Sequence, residues 1–485
     1  MRRLFQILLL TAVIVIVPLR SVMDFAAVTD ADIWWHLRTG DWITQHAAFP
    51  HNGIFTQHTE RAWIAYSWGF EVTVSRVFHG FSANGLANLT IFLLTLHAVI
   101  AAVLFTCMER ISRRFYVSAV LTLIVLYASN AAAIRPMLFT ILLYAVELYL
   151  LLATERDGQA RRLWWLAPLF LVWANLHIQF VYGLFVLGLF ALAMTVAQIG
   201  SRRTTRIPPG RIAAVTAWKV FAAAMVATCI GPYFTSVYAT VFSYAGNTSQ
   251  YRQIIEFAAI NFRQPQHYVQ LLLVLAAFFA IGWKHALDPF RMMLLVSTAL
   301  VAFRSQRDAW FVCIAAGLLL AEALRPADEV STGEARGRRR PMVTATAFLL
   351  AVAIAGGVAV RRGMDPQTLI PVIDKQYPVR AASFVASHKL PGPMYNTFNW
   401  GGYLIFNLPD YPVSIDGRTD LFGPELDTRS MATVNAYALE HDADFQRAHF
   451  VLLERMLPLA SYLASDPHYK LVYSDEISAV FVKTD

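Results

Sequence analysis

Long apolar runs recur along most of this chain, and no other feature limits its fold as strongly. A helix needs about 20 apolar residues to cross a bilayer core, with about 17 to 25 in use. Eleven candidate runs lie near residues 4–20, 85–107, 115–130, 137–153, 163–176, 178–199, 218–240, 268–283, 290–303, 309–325 and 342–360. Only 15% of the residues are charged, against about 25% in soluble domains. We therefore expect a mainly α-helical, polytopic bundle of about 11 transmembrane spans.

Basic residues occupy every second connection between these runs. They are Arg2 and Arg3; Arg110, Arg113 and Arg114; Arg156, Arg161 and Arg162; Arg202, Arg203, Arg206, Arg211 and Lys219; Lys284 and Arg291; and Arg336, Arg338, Arg339 and Arg340. Lys and Arg are enriched in cytoplasmic loops. The pattern predicts a multi-pass inner-membrane protein whose segments 21–84, 241–267 and 361–485 face outward. Because its net charge of +8 comes in these short clusters, nucleic acid is not an expected partner.

The first apolar run could be mistaken for a signal peptide, but Pro18 and Arg20 end it well before a small-residue cleavage site. We expect it to remain as the first helix. The pair of runs at 163–176 and 178–199 is separated by Asn175-Leu176-His177-Ile178-Gln179, and one of these short halves could be re-entrant.

The last 125 residues differ in kind from the rest, since helix-like and strand-like stretches alternate there between turn signals such as Asp416-Gly417. The helix-like stretches are 378–389, 424–440 and 458–465, and the strand-like ones are 393–398, 412–416, 449–454, 469–474 and 477–483. We expect a transmembrane domain over 1–360, including the outer loop 21–84. A small extracytoplasmic, periplasmic α/β domain should follow over 361–485.

The first outer loop carries the densest group of reactive side chains. Asp30 and Asp32 stand two residues apart just beyond the first run, and His36 follows. Close carboxylates either raise one pKa or share a cation, and both outcomes suit acid–base or metal chemistry. Solvated loop charges are the alternative. The neighbouring tryptophans, Trp34 and Trp35, also suit an aromatic belt at the membrane surface.

Glu71 lies in an aromatic, amphipathic stretch further along the same loop. It is either a second active-site carboxylate or a charge on a helix face, and the residues alone do not separate the two.

Several cations stand in outer turns, where arginine is normally scarce. Arg135, Arg304 and Arg307 are such residues, and His177 is placed at a similar depth. A buried or interfacial arginine needs an anion. The anion is either an acidic neighbour such as Asp308 or the phosphate of a lipid, which the guanidinium fork matches.

The remaining charged candidates are weaker. Arg252 and Glu256 share another outer loop and form either part of the site or a structural ion pair. His97 and Glu147 lie inside apolar runs and are expected to be hydrogen-bonding groups between helices. Cys107, Cys229 and Cys313 show no CxxC spacing, so a disulfide framework or zinc site is not expected. Walker, GxGxxG, HExxH and GxSxG motifs are missing from the sequence.

Five motifs together resemble the GT-C superfamily of polytopic membrane glycosyltransferases, which includes protein O-mannosyltransferases and aminoarabinose transferases. They are similar to phrases of a mostly uncharacterised bacterial branch. The motifs are Asp-x-Asp-x-Trp-Trp-His-Leu-x-Thr-Gly over 30–40, Arg-Pro at 135–136, Trp-Ala-Asn-Leu-His over 173–177, Asn-Trp-Gly-Gly-Tyr-Leu over 399–404 and Ile-Asp-Gly-Arg-x-Asp over 415–420. The chain departs from the branch at Tyr66-Ser67-Trp68, where His often precedes Trp, and at Met137, where Gln often follows Arg-Pro.

The resemblance implies inverting transfer of a sugar from a polyprenyl-phosphate donor to an envelope glycan, lipid or protein. It implies that Asp32 is the general base, with Asp30 as the second candidate. Arg135, His177, Arg304 and Arg307 would hold the donor phosphate. A nucleotide–metal complex is not needed, so a divalent cation is optional and no cofactor is expected.

Two other functions remain open on the sequence alone. A transporter of lipid-linked or small polar solutes would show inverted repeats and polar broken helices near the midplane. A non-catalytic membrane scaffold would need no particular side chains at positions 30 and 32.

Overall fold

The structure, a computed structural model, describes residues 1–484 except 81, 130–131, 203–211, 247–256, 284–287, 327–339, 363 and 365. Arg252 and Glu256 lie outside the described residues.

Each predicted apolar run contains a helix. The helices of this set are α1 Arg2–Met23, α4 Gly85–Ser112, α5 Phe115–Ser129, α6 Met137–Asp157, α7 Leu166–Leu176, α8 Phe180–Arg202, α9 Ala214–Thr228, α11 Pro265–Trp283, α12 Pro289–Arg304, α13 Ala309–Ala323 and α14 Arg340–Arg361. Six of them, α1, α4, α6, α8, α11 and α14, are long and apolar enough to cross a membrane. The protein is therefore a multi-pass membrane protein with a mainly helical fold, as expected, although the other five helices are shorter than a full span.

One predicted span is wrong in extent. The run near 218–240 is not a single helix, because α9 ends at Thr228 and α10 (Ser236–Gly246) begins eight residues later. Gly231 and Pro232 fall in the break, and proline cannot continue a helix without losing a hydrogen bond. A side chain at position 231 would also meet the amide oxygen of Asn175 at 2.5 Å.

The centre of the bundle is α13, whose residues from Ala309 to Ala321 are all buried. It packs against α4, α5, α6, α11 and α12. A helix that is apolar on every side belongs in a protein core or in the bilayer, and here neighbouring helices bury it.

The outer loop contains two helices, α2 (Asp32–His46) and α3 (Trp68–Gly80), which pack closely against each other. The close approach depends on Gly40, because a Cβ there would overlap the carbonyl oxygen of Glu71. Trp34 and Trp35 are buried. Trp34 packs edge-on against Tyr377 and Tyr403, so these tryptophans line a contact between protein segments rather than an aromatic belt.

The C-terminal region is a small α/β unit, as expected. Its sheet has the order β1-β2-β4-β3, with β1 parallel to β2 and the other pairs antiparallel. The strands are β1 Met394–Asn396, β2 Phe450–Glu454, β3 Tyr469–Ser474 and β4 Ser478–Lys483. The helices are α15 Pro366–Asp374, α16 Val379–His388, α17 Phe398–Asn407, α18 Thr419–Val434, α19 Ala443–Arg447 and α20 Pro458–Ser465.

Two expectations for this unit need correction. The stretch 412–416 is a buried loop with one isolated bridge, between Val413 and Thr56, and not a strand of the sheet. The Asn396 side chain bonds the Ser414 amide instead, at 2.8 Å. The helix expected over 424–440 starts where predicted, because a kink at Gly423 (φ 70°) divides Thr419–Val434 just before Pro424, but it ends early, at Val434.

The outer loop is bound tightly to this C-terminal unit. The Gln57 amide donates to the carbonyl oxygens of Met394 and Pro412 at 2.6 and 3.1 Å. Arg61 donates to the carbonyl oxygen of Phe422 at 2.7 Å. Loop 21–84 and residues 361–484 therefore form one layer over the end of the bundle where α6 begins.

Candidate active site

The amino end of α2 positions the two aspartates. The Asp30 carboxylate accepts a hydrogen bond from the backbone N–H of Asp32 at 2.9 Å, which satisfies one of the free donors of the first helical turn. The Trp35 indole donates to Asp32 Oδ1 at 3.2 Å, one turn further along the helix. Local sequence spacing thus fixes both carboxylates beside the positive end of the helix dipole.

Arg135, at the start of α6, meets both aspartates. Its Nε donates to Asp30 Oδ2 at 2.6 Å, and its Nη2 lies 3.7 Å from Asp32 Oδ2. The Asp30 side chain is only 4% exposed, whereas that of Asp32 is 28% exposed. The structure therefore brings two neighbouring aspartates together with an arginine 105 positions from Asp30. Of the two aspartates, Asp32 is the more accessible to solvent.

The pKa of Asp30 is subject to opposing influences. Burial and the nearby Asp32 raise the pKa of Asp30, although Arg135 acts in the opposite direction. One arginine is shared by two carboxylates here, so like-charge repulsion is only partly offset.

His36 and Glu71 form a buried pair behind the aspartates, with His36 Nδ1 3.3 Å from Glu71 Oε1. Burial lowers the pKa of His36, and the charges of Arg135 and Arg418 lower it further. Burial raises the pKa of Glu71 well above its ordinary value. Both shifts favour the neutral forms of the two side chains. Glu71 is 1% exposed, which excludes a solvated charge on a helix face.

The motif containing His177 is fixed by a second set of hydrogen bonds. Thr140 Oγ1 lies 2.8 Å from His177 Nδ1 and accepts a bond from the Trp173 indole, also at 2.8 Å. The Trp68 indole donates to Asn175 Oδ1 at 2.8 Å. His177 is buried and lies within range of the Arg307 charge. The non-helical connection between α7 and α8 thus faces the same region as the first outer loop.

The turn between α12 and α13 supplies the remaining predicted cations. Arg307 is half-buried and stacks 5.0 Å from the Phe257 ring. The neighbouring Asp308 is buried and accepts a bond from Gln179 at 3.0 Å. Arg304 is exposed at the end of α12. Of the two arginines, Arg307 therefore lies closer to the His177 segment.

Sequence reasoning left the role of the Ile-Asp-Gly-Arg-x-Asp motif open, and the structure places it directly against the site. Arg418 is fully buried and pairs with Asp416 through Nε at 2.8 Å and Nη2 at 2.6 Å. Its guanidinium stacks 4.8 Å from the Trp63 ring. Gly417 lies against the carboxylate of Asp32. The signal in the sequence was a charged Gly turn among apolar residues, but nothing in it gave the distance to position 32.

Metal binding is not supported by a ready-made ligand set. Within the part of the chain that the structure describes, no group of three His, Cys, Asp or Glu side chains is arranged to hold an ion. The site's chemistry is thus that of a reachable carboxylate beside a guanidinium, with buried neutral groups behind them.

Comparison with known proteins gives one kind of likeness. No protein-family model matches the chain, and no curated protein sequence does. Among solved structures, the chain is similar to the crystal structure of ArnT from Cupriavidus metallidurans bound to undecaprenyl phosphate. The similarity covers 98% of this chain and 97% of that one, at 14% identity and a TM-score of 0.48.

Proposed function

We infer that this protein is a glycosyltransferase that moves a sugar from a polyprenyl-phosphate-linked donor to an acceptor hydroxyl at the outer face of the membrane. The observation that carries the proposal is the placing of Asp32 beside Arg135. An accessible carboxylate stands 3.7 Å from a guanidinium at the end of the bundle that the C-terminal unit covers. A base for the acceptor and a cation for a phosphate are the two groups that such a transfer needs.

In the proposed reaction, the acceptor oxygen attacks the anomeric carbon of the sugar while Asp32 takes the hydroxyl proton. The bond between that carbon and the lipid phosphate oxygen breaks, and the configuration at the carbon inverts. The bonding electron pair leaves with the phosphate, so negative charge grows on the departing lipid. General-base assistance of this kind contributes about 10²–10⁴-fold.

The developing phosphate charge would be neutralised by three arginines on two connections, the one before α6 and the one between α12 and α13. Arg135 offers the guanidinium fork nearest to the base, and Arg307 lies close enough for its charge to act on His177. Arg304 completes the set at the outer end of α12. Electrostatic stabilisation of the charge that develops in the transition state is the largest single contribution to catalysis in many enzymes.

The other carboxylates have supporting roles in this proposal. Asp30 is buried, bonded to Arg135, and holds the first turn of α2. Glu71 is 1% exposed beside His36, and burial raises its pKa, which favours its neutral form. Asp32 is the most exposed of the three carboxyls, so it is assigned as the base ahead of both.

The proposed setting is the bacterial inner membrane, with the layer of loop 21–84 and the C-terminal unit on the periplasmic side. The partners are the lipid-linked donor, surrounding lipids and an envelope glycan, lipid or protein as acceptor. A divalent cation is optional.

Asp32→Asn tests the proposal directly. Cells lacking the protein are complemented with the wild type, Asp32→Asn or Asp41→Asn, and their lipid extracts and surface glycans are compared by mass spectrometry. We expect Asp32→Asn to reduce transfer by about 10²–10⁴-fold, so donor lipid accumulates as in the uncomplemented cells.

Asp41→Asn is the matched control on the same helix. Asp41 bonds Ser75 and His79 at 2.6 and 3.1 Å, two to three turns from Asp32, and its loss should leave transfer near the wild-type level. Full transfer by a correctly folded Asp32→Asn protein would refute the assignment of the base.

A further inference from the structure

The corner Asp416–Gly417–Arg418 of the C-terminal unit meets the carboxylate that we assign as the base. A Cβ on Gly417 would overlap Asp32 Oδ1, while the next atoms, Asp32 Cγ and Trp35 Nε1, would both stand at 3.5 Å. The φ angle of Gly417 is not positive, so the backbone there suits any residue. Glycine is needed at this position for room, and the room is filled by the oxygen of Asp32.

The two oxygens of Asp32 therefore have different surroundings. Oδ1 accepts the Trp35 indole bond at 3.2 Å and is covered by Gly417. Oδ2 lies on the side of Arg135, 3.7 Å from Nη2. With Oδ1 bonded to the Trp35 indole and covered by the Gly417 backbone, the orientation of the carboxylate is set, and Oδ2 is the oxygen on the side of Arg135.

The corner itself is firmly held. Asp416 is fully buried and accepts bonds from the Arg418 backbone N–H at 2.9 Å as well as from its guanidinium. The guanidinium stacks on Trp63, which belongs to the outer loop. A buried bidentate pair with a stacked ring leaves the backbone of Gly417 little freedom.

We propose that Gly417 is a positioning residue: it holds the Asp32 carboxylate in the orientation in which Oδ2 receives the acceptor proton. This inference rests on the proposed function, because it concerns the geometry of the proposed base. It assigns the C-terminal unit a part in the transfer step, since the Gly417 backbone of this unit packs against the carboxylate of the proposed base. Orienting a catalytic group accounts for a large share of rate enhancement, and a misplacement of about 1 Å can cost about 10²-fold.

Gly417→Ala and Gly402→Ala form a matched pair for the test. Both glycines seat the C-terminal unit on α2, but a Cβ on Gly402 would meet the main-chain oxygen of Ala31 at 2.6 Å. A backbone atom cannot turn aside, whereas the Asp32 carboxylate can rotate away from the methyl group added at position 417. We expect Gly417→Ala to lower turnover at least tenfold with an unfolding temperature near that of the wild type. Gly402→Ala should lower the unfolding temperature more.

Binding of a polyprenyl phosphate, measured in detergent micelles, separates positioning of the base from damage to the phosphate site. We expect Gly417→Ala to bind this probe within about twofold of the wild type, because the orientation of Oδ2 and not the phosphate contact is changed. Wild-type turnover in Gly417→Ala would overturn the inference. So would a loss of turnover that only follows a loss of stability, as in Gly402→Ala.

A double substitution tests the contact without any assay of transfer. In an Asp32→Ala background the overlapping oxygen is gone, so adding Gly417→Ala should cost no further stability. A clear loss of stability when Gly417→Ala is added to Asp32→Ala would show that the methyl group meets something other than Asp32, and would overturn the inference. If Asp32→Asn is inactive and Gly417→Ala is fully active, only this inference fails. If Asp32→Asn is fully active, the proposed function fails first.

Discussion

Two groups of ionisable side chains lie in the layer formed by loop 21–84 and the C-terminal unit. They use similar residues, but the pKa of a buried aspartate is raised in one group and lowered in the other. We name them the carboxylate cluster and the arginine clamp. The carboxylate cluster consists of Asp30, Asp32, His36, Glu71 and Arg135. The arginine clamp consists of His58, Arg429, Asp442, Asp444 and Arg447, and it joins the outer loop to the C-terminal unit.

The ratio of cations to carboxylates accounts for the difference. Burial would raise the pKa of Asp444, but the His58 hydrogen bond at 3.0 Å and the nearby arginines outweigh it and lower that pKa to about 2. Asp30 has the opposite balance, because burial and Asp32 outweigh Arg135 and its pKa is raised. A surplus of cations makes a permanent structural anchor, whereas a surplus of carboxylates leaves a group able to exchange a proton.

Arg135→Ala should have the largest effect on this comparison. It removes the guanidinium that bonds Asp30 and lies 3.7 Å from Asp32 and, under the proposed function, a contact to the donor phosphate. We expect turnover to fall about 100-fold and the affinity for a polyprenyl phosphate to fall at least tenfold, the range of a lost charge-assisted contact. Enzyme assays and lipid-binding measurements on the purified protein check both.

Arg447→Ala is the matched change in the arginine clamp. The Arg447 side chain is 64% exposed, and its removal should leave turnover unchanged. Unaltered lipid affinity in Arg135→Ala would exclude a phosphate contact for Arg135.

The sequence predicted the clusters unequally, and the reason is distance along the chain. Asp30, Asp32 and Arg135 stood out because charges are rare beside apolar runs and because they match short motifs. The arginine clamp was not predicted, since His58 and Asp444 are ordinary polar residues 386 positions apart. Periodicity carries no information about such pairs.

The fold divides in the same way. Apolar run length predicted the helices of the bundle, and strand-like alternation predicted four strands of the small sheet. The prediction of a strand at 412–416 was wrong because the apolar pattern of this stretch comes from burial against Thr56 and Asn396. No local rule reveals that packing. The seat of Gly417 on Asp32 likewise depends on tertiary packing alone.

Asp444→Asn should have the next largest effect, on stability. Because the folded-state pKa of Asp444 lies below its ordinary value of 3.8, at about 2, its ionised form stabilises the fold above about pH 4. This contribution is lost as the pH falls toward 2 and amounts to about 2 kcal/mol. We expect unfolding measurements in detergent at pH 7 to show a loss of that size, with turnover per folded molecule unchanged.

Asp30→Asn gives the opposite dependence and sharpens the comparison. The pKa of Asp30 is raised, so ionising this carboxyl costs stability as the pH rises above its ordinary value of 3.8. The neutral amide should therefore cost less stability than Asp444→Asn at pH 7, and the difference should narrow as the pH is lowered. Equal losses at both positions, at every pH, would remove the distinction between the two groups.

Glu71→Gln should have the smallest effect, and it tests whether every carboxyl of the carboxylate cluster works as an anion. Burial raises the pKa of Glu71 well above its ordinary value, and the amide of glutamine has the same shape as the neutral acid. The amide can donate to His36 Nδ1 or accept from it, as the acid does at 3.3 Å. We expect stability within about 1 kcal/mol of the wild type and turnover within about threefold. Glu71→Ala should lose more of both, because it leaves His36 buried without its partner. If Glu71→Gln instead matched Asp32→Asn in its loss of turnover, Glu71 would have to act as a charged base, and the assignment of Asp32 as the base ahead of Glu71 would no longer hold.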